Sequence, residues 1–305
     1  MEIKKDFSLK HFNTGKIEAS ADYFAEAKST EELLQGVRFA EDKGIPFFIL
    51  GNGSNTIFVD KYKGLVVRLA TENTILQEKD GFFAVQAEAG VFLPTLSKEL
   101  VDAGAGGLEW AGGVPGTVGG AVRGNAGAFK DFMEDVVESV EALDLKSKEA
   151  VTLNKEECAF GYRESIFKKN KNLVVLKVKM VFPKSPKCYD TYCEYSSYRR
   201  ERHPVEPSFG STFKNPTWEE GLLPENIEQE KFKALGFIPA GFLVEQCGLS
   251  GKKIGGAQIS EKHSNFIINT NGATGKDVLE LISLVKERVR DSFGIELEEE
   301  VEIVG

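Results

Sequence analysis

Residues Gly106–Phe129 form a glycine-dense run that reads GGLEWAGGVPGTVGGAVRGNAGAF. Its glycines alternate with Val, Ala and Thr rather than with Ser and charged residues, which argues against a flexible linker. Glycine lacks a Cβ and adopts positive φ at no steric cost, so its backbone N–H groups can approach a bulky anion. The run predicts either a loop that binds the pyrophosphate of a dinucleotide or a buried, tightly packed turn without a ligand.

A second turn of similar chemistry is Gly51-Asn52-Gly53-Ser54-Asn55. It follows the apolar segment Pro46–Leu50, which predicts a buried strand. The pentapeptide is not GxGxxG, and no long helical pattern follows it, so a Rossmann fingerprint is a poor match. Two glycines beside a hydroxyl and amides still suit contact with a phosphate. Two such loops in one chain strengthen the case for each.

Composition limits the possible functions. The 305 residues predict about two domains, and 41% hydrophobic residues suffice for packed cores. The net charge of −9 and a pI near 5.2 argue against a nucleic-acid surface. No apolar run reaches the length of a membrane span, and the N-terminus does not resemble a signal peptide. Four Cys without a CxxC pair fit free thiols in a reducing compartment, so we expect a cytoplasmic protein without membrane insertion.

The periodicity predicts an α+β protein. Capping boxes begin helices after Ser29 and Thr274, and glycines end them at Gly44 and Gly294. Further helices are expected at Thr95–Ala103 and Ile238–Cys247. Strands are expected at 21–27, 46–50, 65–69, 83–87, 136–145, 150–153, 173–182 and 295–304, with a turn at 61–64 and a linker at 183–193.

Three places offer reactive side chains. Arg163 lies in a segment with a Gly and aromatic residues and could hold a carboxylate, but it could equally be a surface Arg. Ser211 follows Gly210 and precedes Lys214; a hydroxyl can protonate a carbon when neighbouring groups stabilise its oxyanion, yet a turn Ser fits the pattern as well. The acidic strand Ile295–Val304 could supply a carboxylate or form a solvated face. The three His cannot be paired at metal-ligand spacing, so no metal site is predicted.

Several motifs in order resemble the UDP-N-acetylenolpyruvoylglucosamine reductase (UDP-N-acetylmuramate dehydrogenase) family along nearly the whole chain. They are Ile49–Asn55, Gly113–Ala121 with Asn125–Ala128, Gly161–Ser165, Gly210–Pro216, Ile238–Gly241, Gly255–Ala257 and Leu297–Val301.

The resemblance implies noncovalent FAD in a two-part FAD-binding fold of the vanillyl-alcohol-oxidase (PCMH) type, followed by a smaller α/β substrate domain. The expected FAD-binding domain covers residues 1–185, in subdomains of about 1–70 and 71–185, and the substrate domain covers 186–305. The implied reaction is the NADPH-dependent reduction of the enolpyruvyl group of UDP-N-acetylglucosamine-enolpyruvate to UDP-N-acetylmuramate in peptidoglycan synthesis. A monomer is expected.

The resemblance also implies roles for individual residues. Arg163, Ser211 and Glu300 match the catalytic Arg, the proton donor and the catalytic carboxylate. Glu300 is preferred to Glu298 because of the Leu-Glu-x-Glu-Val pattern, since alternation alone does not separate the two. The expected cofactor-binding residues are Gly51, Asn52, Gly53, Ser54, Asn55, Gly113, Pro115, Gly116, Thr117, Gly119, Gly120, Asn125 and Ala126. The expected substrate-binding residues are Tyr162, Lys214, Asn215 and His263.

Some alternatives stay open at this level. Arg199, Arg200 and Arg202 could clamp the diphosphate of the UDP-sugar or form a solvated basic face. A flavin oxidase of the same fold would often tether its flavin through His or Cys, and no His lies in the two glycine loops. A catalytically silent nucleotide-binding module would not require Arg163, Ser211 and Glu300 together.

Overall fold

A computed structural model describes residues 1–224, 227 and 229–305. The chain divides into two compact units. The first unit consists of Met1–Phe7, Ala21–Asn52 and Lys63–Glu201. The second unit consists of Ser8–Ser20, Gly53–Tyr62 and Arg202–Gly305. Each unit is therefore assembled from segments that are not contiguous in sequence, and the domain boundary at 185/186 stays a prediction.

The described residues mix strands and helices, as an α+β protein requires. The strands are β1 (Ile3–Ser8), β2 (Ser20–Ala27), β3 (Phe47–Leu50), β4 (Thr56–Phe58), β5 (Tyr62–Leu69), β6 (Thr74–Lys79), β7 (Phe82–Glu88), β8 (Gly127–Ala128), β9 (Asp131–Phe132), β10 (Val137–Asp144), β11 (Glu149–Asn154), β12 (Leu173–Pro183), β13 (Ser208–Ser211), β14 (Lys253–Ile254), β15 (Ala257–Ile259), β16 (Phe266–Asn269) and β17 (Glu302–Val304). The α-helices are α1 (Thr30–Lys43), α2 (Leu93–Ala103), α3 (Val118–Arg123), α4 (Ile166–Lys169), α5 (Cys188–Arg202), α6 (Glu230–Leu235), α7 (Ala240–Gln246) and α8 (Gly275–Phe293). Short 3₁₀ turns lie at Lys10–Phe12, Glu109–Gly113 and Met133–Asp135.

The first unit contains a four-stranded sheet of order β1-β2-β5-β3, in which β3 runs parallel to β5. Helix α1 connects β2 to β3. It begins where the Ser29 hydroxyl accepts a hydrogen bond from the Glu32 N–H, and it ends at Gly44 in the left-handed conformation. The glycine turn Gly51–Asn55 follows β3 directly and therefore lies at the carboxyl end of that strand.

A five-stranded antiparallel sheet, β11-β10-β12-β7-β6, is also part of the first unit. Alternate residues of β7 and β12 are buried, which is the period-two pattern of a sheet with one covered face. Helix α2 contributes buried Leu96 and Leu100 to the same core, and Trp110 of the glycine run is fully buried in it. The glycine run is therefore anchored in the core of the first unit at its beginning.

The second unit contains the sheet β13-β16-β15-β14 and the parallel pair β4–β17. Helix α8 has the predicted reciprocal capping box between Thr274 and Asp277, and it ends at Gly294. Its apolar stripe is buried in a core shared with the sheet; the stripe comprises Val278, Leu281, Ile282, Val285 and Val289.

Three predictions about local structure were wrong. The segment expected to be a linker, 183–193, instead contains the start of α5 at Cys188. The sequence did not predict this helix because Pro and Lys residues precede it and its apolar residues show almost no helical periodicity. The expected turn at 61–64 is part of β5, which begins at Tyr62. The terminal strand, expected at 295–304, is shorter and consists of β17; Ile303 is 38% exposed, whereas Leu297 and Val301 are buried.

No helix among the described residues has the length and apolarity that crossing a membrane requires. Within the same residues, no cluster of three or more His, Cys, Asp or Glu could hold a metal ion. The four thiols are free; Cys158 and Cys188 are buried, and Cys193 is exposed.

Candidate functional site

The two predicted cofactor turns meet within the first unit. The Asn52 side chain donates a hydrogen bond from Nδ2 to the Pro115 carbonyl at 2.6 Å. A Cβ placed on Gly51 would lie 2.8 Å from Oγ1 of Thr117, so only glycine permits this approach. Two glycine turns whose contacting residues, Asn52 and Pro115, are 63 positions apart in sequence therefore form one local backbone surface.

The other half of the first turn belongs to the second unit. Gly53 has φ +62°, and a Cβ there would overlap the Phe12 carbonyl. The Gly53 carbonyl accepts a hydrogen bond from the Thr14 N–H at 3.1 Å. Asn55 donates from Nδ2 to the Glu300 carbonyl at 2.9 Å, and its own carbonyl accepts from the Glu302 N–H. Asn55, predicted to bind cofactor, thus also fixes the backbone of the predicted catalytic carboxylate.

The amides at the start of α3 already have acceptors inside the protein. The Val118 and Gly119 N–H groups donate to the carbonyls of Val91 and Ala89, both at 2.9 Å. The Gly120 N–H donates to Oγ1 of Thr117 at 3.3 Å. These contacts tie the run to the end of β7, and they use amides that would otherwise be available to an anion.

Even so, the glycine surface fits a dinucleotide cofactor. Gly113, Pro115 and Gly120 are exposed and Gly116 is partly exposed, so backbone rather than side chains faces outward along the run. A large planar or phosphorylated ligand can approach such a surface more closely than one covered by side chains.

Asn125 has a structural role that the sequence did not reveal. Its side chain is fully buried, and its φ is +40°. Nδ2 donates to the Gly161 carbonyl at 2.9 Å and to Oε1 of Glu134 at 3.1 Å, while Oδ1 accepts from the Glu134 N–H. The following residue, Ala126, donates from its N–H to the Ala121 carbonyl. Asn125 therefore joins the glycine run to the segment that carries Arg163.

Arg163 lies in a tight turn closed by paired hydrogen bonds between Gly161 and Glu164, both 3.1 Å. Its backbone is left-handed, with φ +58°, a conformation that costs a non-glycine residue about 1 kcal/mol. The guanidinium donates from Nη2 to the Gly127 carbonyl at 3.0 Å and lies 5.3 Å from the centre of the Tyr162 ring. Such strain is held only where surrounding contacts determine the conformation, and sites of this kind are often functional.

Ser211 ends β13 next to a backbone irregularity. Gly210 has φ +76°, and the register of β13 against β16 shifts between Ser208 and Ser211. Beyond it, buried Asn265 accepts at Oδ1 from the Phe213 N–H and donates from Nδ2 to the Phe213 carbonyl, both at 2.9 Å. Irregularities of this kind can redirect a neighbouring side chain, so we expect the one at Gly210 to influence the orientation of Ser211.

Glu300 is brought to the Ser211 segment by backbone pairing. Its N–H donates to the Thr212 carbonyl at 2.8 Å, and Phe213 bridges to Glu299. The two neighbouring carboxylates have cationic partners: Glu298 with Lys214 at 3.1 Å and Glu299 with Lys286 at 2.8 Å. The backbone of Glu300 is thus paired with the segment that follows Ser211, and the catalytic role of Glu300 stays a prediction.

The predicted substrate-binding residues have identifiable contacts. Tyr162 is 46% exposed, and Lys214 pairs with Glu298. Asn215 accepts at Oδ1 from the Ala240 N–H at 2.9 Å and so secures the start of α7. Burial lowers the pKa of His263, and its Nδ1 accepts from the Asn265 N–H at 3.3 Å, which places the proton of the neutral ring on Nε2. Lys214, Asn215 and His263 belong to the second unit, and Tyr162 belongs to the first.

Two family models match the chain. One, described as an FAD binding domain, matches residues 21–153 and thus includes both glycine turns. The other, described as the C-terminal domain of UDP-N-acetylenolpyruvoylglucosamine reductase, matches residues 202–304 and includes Ser211 and Glu300. The predicted fold class is confirmed: an FAD-binding domain and this C-terminal domain share the chain.

Relatives of the same name align with the whole chain. The UDP-N-acetylenolpyruvoylglucosamine reductase of Caldicellulosiruptor bescii is 37% identical over 100% of this chain and 91% of its own length. That of Caldanaerobacter subterraneus subsp. tengcongensis is 38% identical over 97% of this chain and 92% of its own length. The crystal structure of the reductase from Thermus caldophilus superposes with a TM-score of 0.76 at 32% identity and covers both chains completely. The chain therefore belongs to the UDP-N-acetylenolpyruvoylglucosamine reductase family of FAD-dependent oxidoreductases.

Proposed function

We propose that this chain reduces the enolpyruvyl group of UDP-N-acetylglucosamine-enolpyruvate to UDP-N-acetylmuramate with NADPH, a step of peptidoglycan synthesis. The observation that carries the proposal is the backbone pairing of the Ser211 segment with Glu300 in the second unit. This pairing brings together two chain positions that carry a hydroxyl and a carboxyl group, the groups needed to protonate a carbon and to stabilise the charge that develops beside it.

The glycine turns would hold FAD. Gly51, Asn52, Pro115 and Thr117 would form its phosphate-facing backbone, since these residues contact one another and their glycines exclude side chains. FAD supplies redox chemistry, carrying a hydride equivalent from NADPH to the terminal carbon of the alkene. The protein must hold the substrate in the correct orientation and supply the proton.

The Arg163 guanidinium would bind the carboxylate of the enolpyruvyl group as a charge-assisted pair. When hydride adds to the terminal carbon, electron density moves onto that carboxylate, and a fixed cation stabilises this state more than the ground state. The Glu300 carboxyl would donate or accept a hydrogen bond that stabilises the enolate-like state formed by hydride addition. The Ser211 hydroxyl would then give its proton to the adjacent carbon, which completes the addition of H⁻ and H⁺ across the double bond.

The remaining substrate contacts would come from Tyr162, Lys214, Asn215 and His263. A cation such as Lys214 and a donor such as Nε2 of neutral His263 suit the phosphate and hydroxyl groups of a UDP-sugar. We also propose that the enzyme is cytoplasmic, because its substrates are nucleotide-linked and its thiols are free, and that it is a monomer. Light scattering of the purified protein checks the monomer.

The test separates the two half-reactions. NADPH should bleach the flavin absorbance of the Ser211→Ala enzyme at nearly the wild-type rate, whereas turnover of the enolpyruvyl substrate should fall by roughly 10²–10⁴-fold, the range of general-acid contributions. Ser283→Ala, which changes an exposed helix Ser, is the matched control. Normal substrate reduction by the Ser211→Ala enzyme would remove Ser211 from the mechanism, and a colourless wild-type protein would contradict the flavoenzyme.

A further inference from the structure

One face of α5 lies directly on the glycine run within the first unit. A Cβ on Gly112 would overlap the Tyr192 ring, and a Cβ on Gly113 would lie 2.6 Å from Nε and 2.8 Å from Cδ of Arg199. Tyr195 stacks in parallel on Phe129 with ring centroids 3.9 Å apart. Tyr192, Tyr195 and Arg199 are spaced by three and four residues, so they share one side of the helix.

Within the described residues, the positive charge of Arg199 has no anionic partner. Its side chain is partly buried, and burial lowers the pKa of its guanidinium. Among residues 1–224, 227 and 229–305, none forms a hydrogen bond or an ion pair with this guanidinium. Removing a cation from water without a counter-ion is unfavourable, so such a group is normally paired with an anion when the protein functions.

The glycine run needs positive charge from outside its own backbone. The amides of Val118, Gly119 and Gly120 are occupied by protein acceptors, and the chain as a whole carries a net charge of −9. An anion at the run therefore gains little from the start of α3 or from the overall field. A guanidinium against Gly113 is well placed to supply the missing charge, and its planar fork matches two phosphate oxygens.

We propose that Arg199 is the cationic anchor for a diphosphate bound at the glycine run. The inference rests on the proposed function, which supplies two ligands with this chemistry: FAD and the UDP-sugar. Contact with Gly113, inside the glycine run, favours the diphosphate of FAD. The packing of α5 also gives Gly112 and Gly113 a second reason to be glycine, since a larger residue would displace Tyr192 or Arg199.

The experiment compares Arg199→Gln, Arg199→Lys and the control Arg38→Gln, which removes an exposed Arg of the first unit. Free flavin is measured by fluorescence after dilution of each holoenzyme, and UDP is titrated into each FAD-saturated enzyme while the flavin spectrum is followed. A charge-assisted hydrogen bond contributes about 1.5–3 kcal/mol, so the FAD dissociation constant of Arg199→Gln should rise about 10- to 100-fold. Arg199→Lys keeps the charge and should show a smaller rise.

Weaker FAD binding with unchanged UDP binding supports the anchor and assigns it to the cofactor. Weaker UDP binding with unchanged FAD binding supports the anchor and overturns the assignment to FAD. The proposal is wrong if folded Arg199→Gln and Arg199→Lys bind both ligands as the Arg38→Gln control does. Wild-type bleaching by NADPH and recovery with the enolpyruvyl substrate test the proposed function separately, so failure of Arg199 leaves that result intact.

Discussion

Two buried asparagines hold the segments that carry the predicted catalytic residues, one in each unit. Asn265 binds both the N–H and the carbonyl of Phe213, two residues after Ser211. Asn125 reaches the Arg163 turn through a single hydrogen bond to the Gly161 carbonyl, and its other contacts go to Glu134. In the second unit an asparagine side chain thus holds both backbone polar groups of one residue, and in the first unit an asparagine side chain links two loops.

The difference between these hydrogen bonds predicts that one asparagine acts mainly on stability and the other mainly on the position of a catalytic residue. Phe213 is buried, so loss of Asn265 would leave both of its backbone polar groups without water or a partner. Gly161 is partly exposed, so water can replace part of what Asn125 provides. We therefore expect Asn265 to matter mainly for folding and Asn125 mainly for the placement of Arg163.

The largest expected effect is that of Asn265→Ala. Two buried backbone groups lose their partners, at about 1–3 kcal/mol each, so the free energy of unfolding should fall by about 2–6 kcal/mol. Urea unfolding and hydrogen exchange of segment 208–215 measure the loss. Asn271→Ala, an exposed position in the same unit, is the control and should change little. Equal stability of the two variants would show that Asn265 is no clamp.

Asn125→Ala should cost about 2 kcal/mol, because it removes the link to Gly161 and adds strain at a positive φ. Asn125→Gly removes the same hydrogen bonds without that strain. The difference in unfolding free energy between the two variants therefore measures the cost of the positive φ. Turnover should fall about tenfold or more in both, since misplacement of a catalytic group is costly. Exposed Asn73→Ala is the control. Full activity in Asn125→Gly would contradict a positioning role.

Gly210→Ala tests the bulge before Ser211. Nothing lies within 4 Å of a Cβ at this position, so the substitution reports backbone conformation alone. A positive φ should cost Ala about 1 kcal/mol, and thermal unfolding measures that loss. The larger response should be in turnover of the enolpyruvyl substrate, with bleaching by NADPH unchanged. If bleaching by NADPH and turnover of the substrate both slowed, the effect of the substitution would not be due to the orientation of Ser211.

The smallest expected effect is on the pH dependence of stability, to which Asp277 in the second unit and Asp131 in the first should contribute with opposite signs. The backbone N–H of Thr274 holds the pKa of Asp277 below its ordinary value, so its stabilisation is present above that value and is lost as pH falls through the folded pKa. Burial raises the pKa of Asp131, so its contribution favours the fold at acidic pH and is lost as pH rises through the window above 3.8. Urea midpoints of Asp277→Asn and Asp131→Asn between pH 3 and 6 should deviate from wild type in opposite directions.

The sequence predicted the elements whose ends carry strong local signals. Ser29, Gly44, Thr274 and Gly294 define α1 and α8 because capping is a local property that needs no tertiary information. The two glycine turns were likewise visible from composition, and the family motifs selected Arg163, Ser211 and Glu300.

What the sequence did not reveal depends on partners distant in the chain. Helix α5 has almost no apolar periodicity, and its packing residues contact distant segments: Tyr192 lies on Gly112, and Tyr195 stacks on Phe129. Nothing in a lone Asn marks Asn125 or Asn265 as structural, because their hydrogen bonds join segments 36 and 52 residues apart. The terminal acidic segment alternates like a strand, yet most of it pairs through isolated bridges and single hydrogen bonds.

The parallel pairing of β4 with β17 has a consequence for synthesis of the protein. The paired residues Thr56 and Glu302 are 246 positions apart in the chain. Ile57 and Phe58 are almost fully buried in the folded protein, so their pairing with β17 cannot form until all of the intervening residues have been synthesised. During that interval β4 is an apolar strand without its partner, and unpaired strands of this kind favour aggregation.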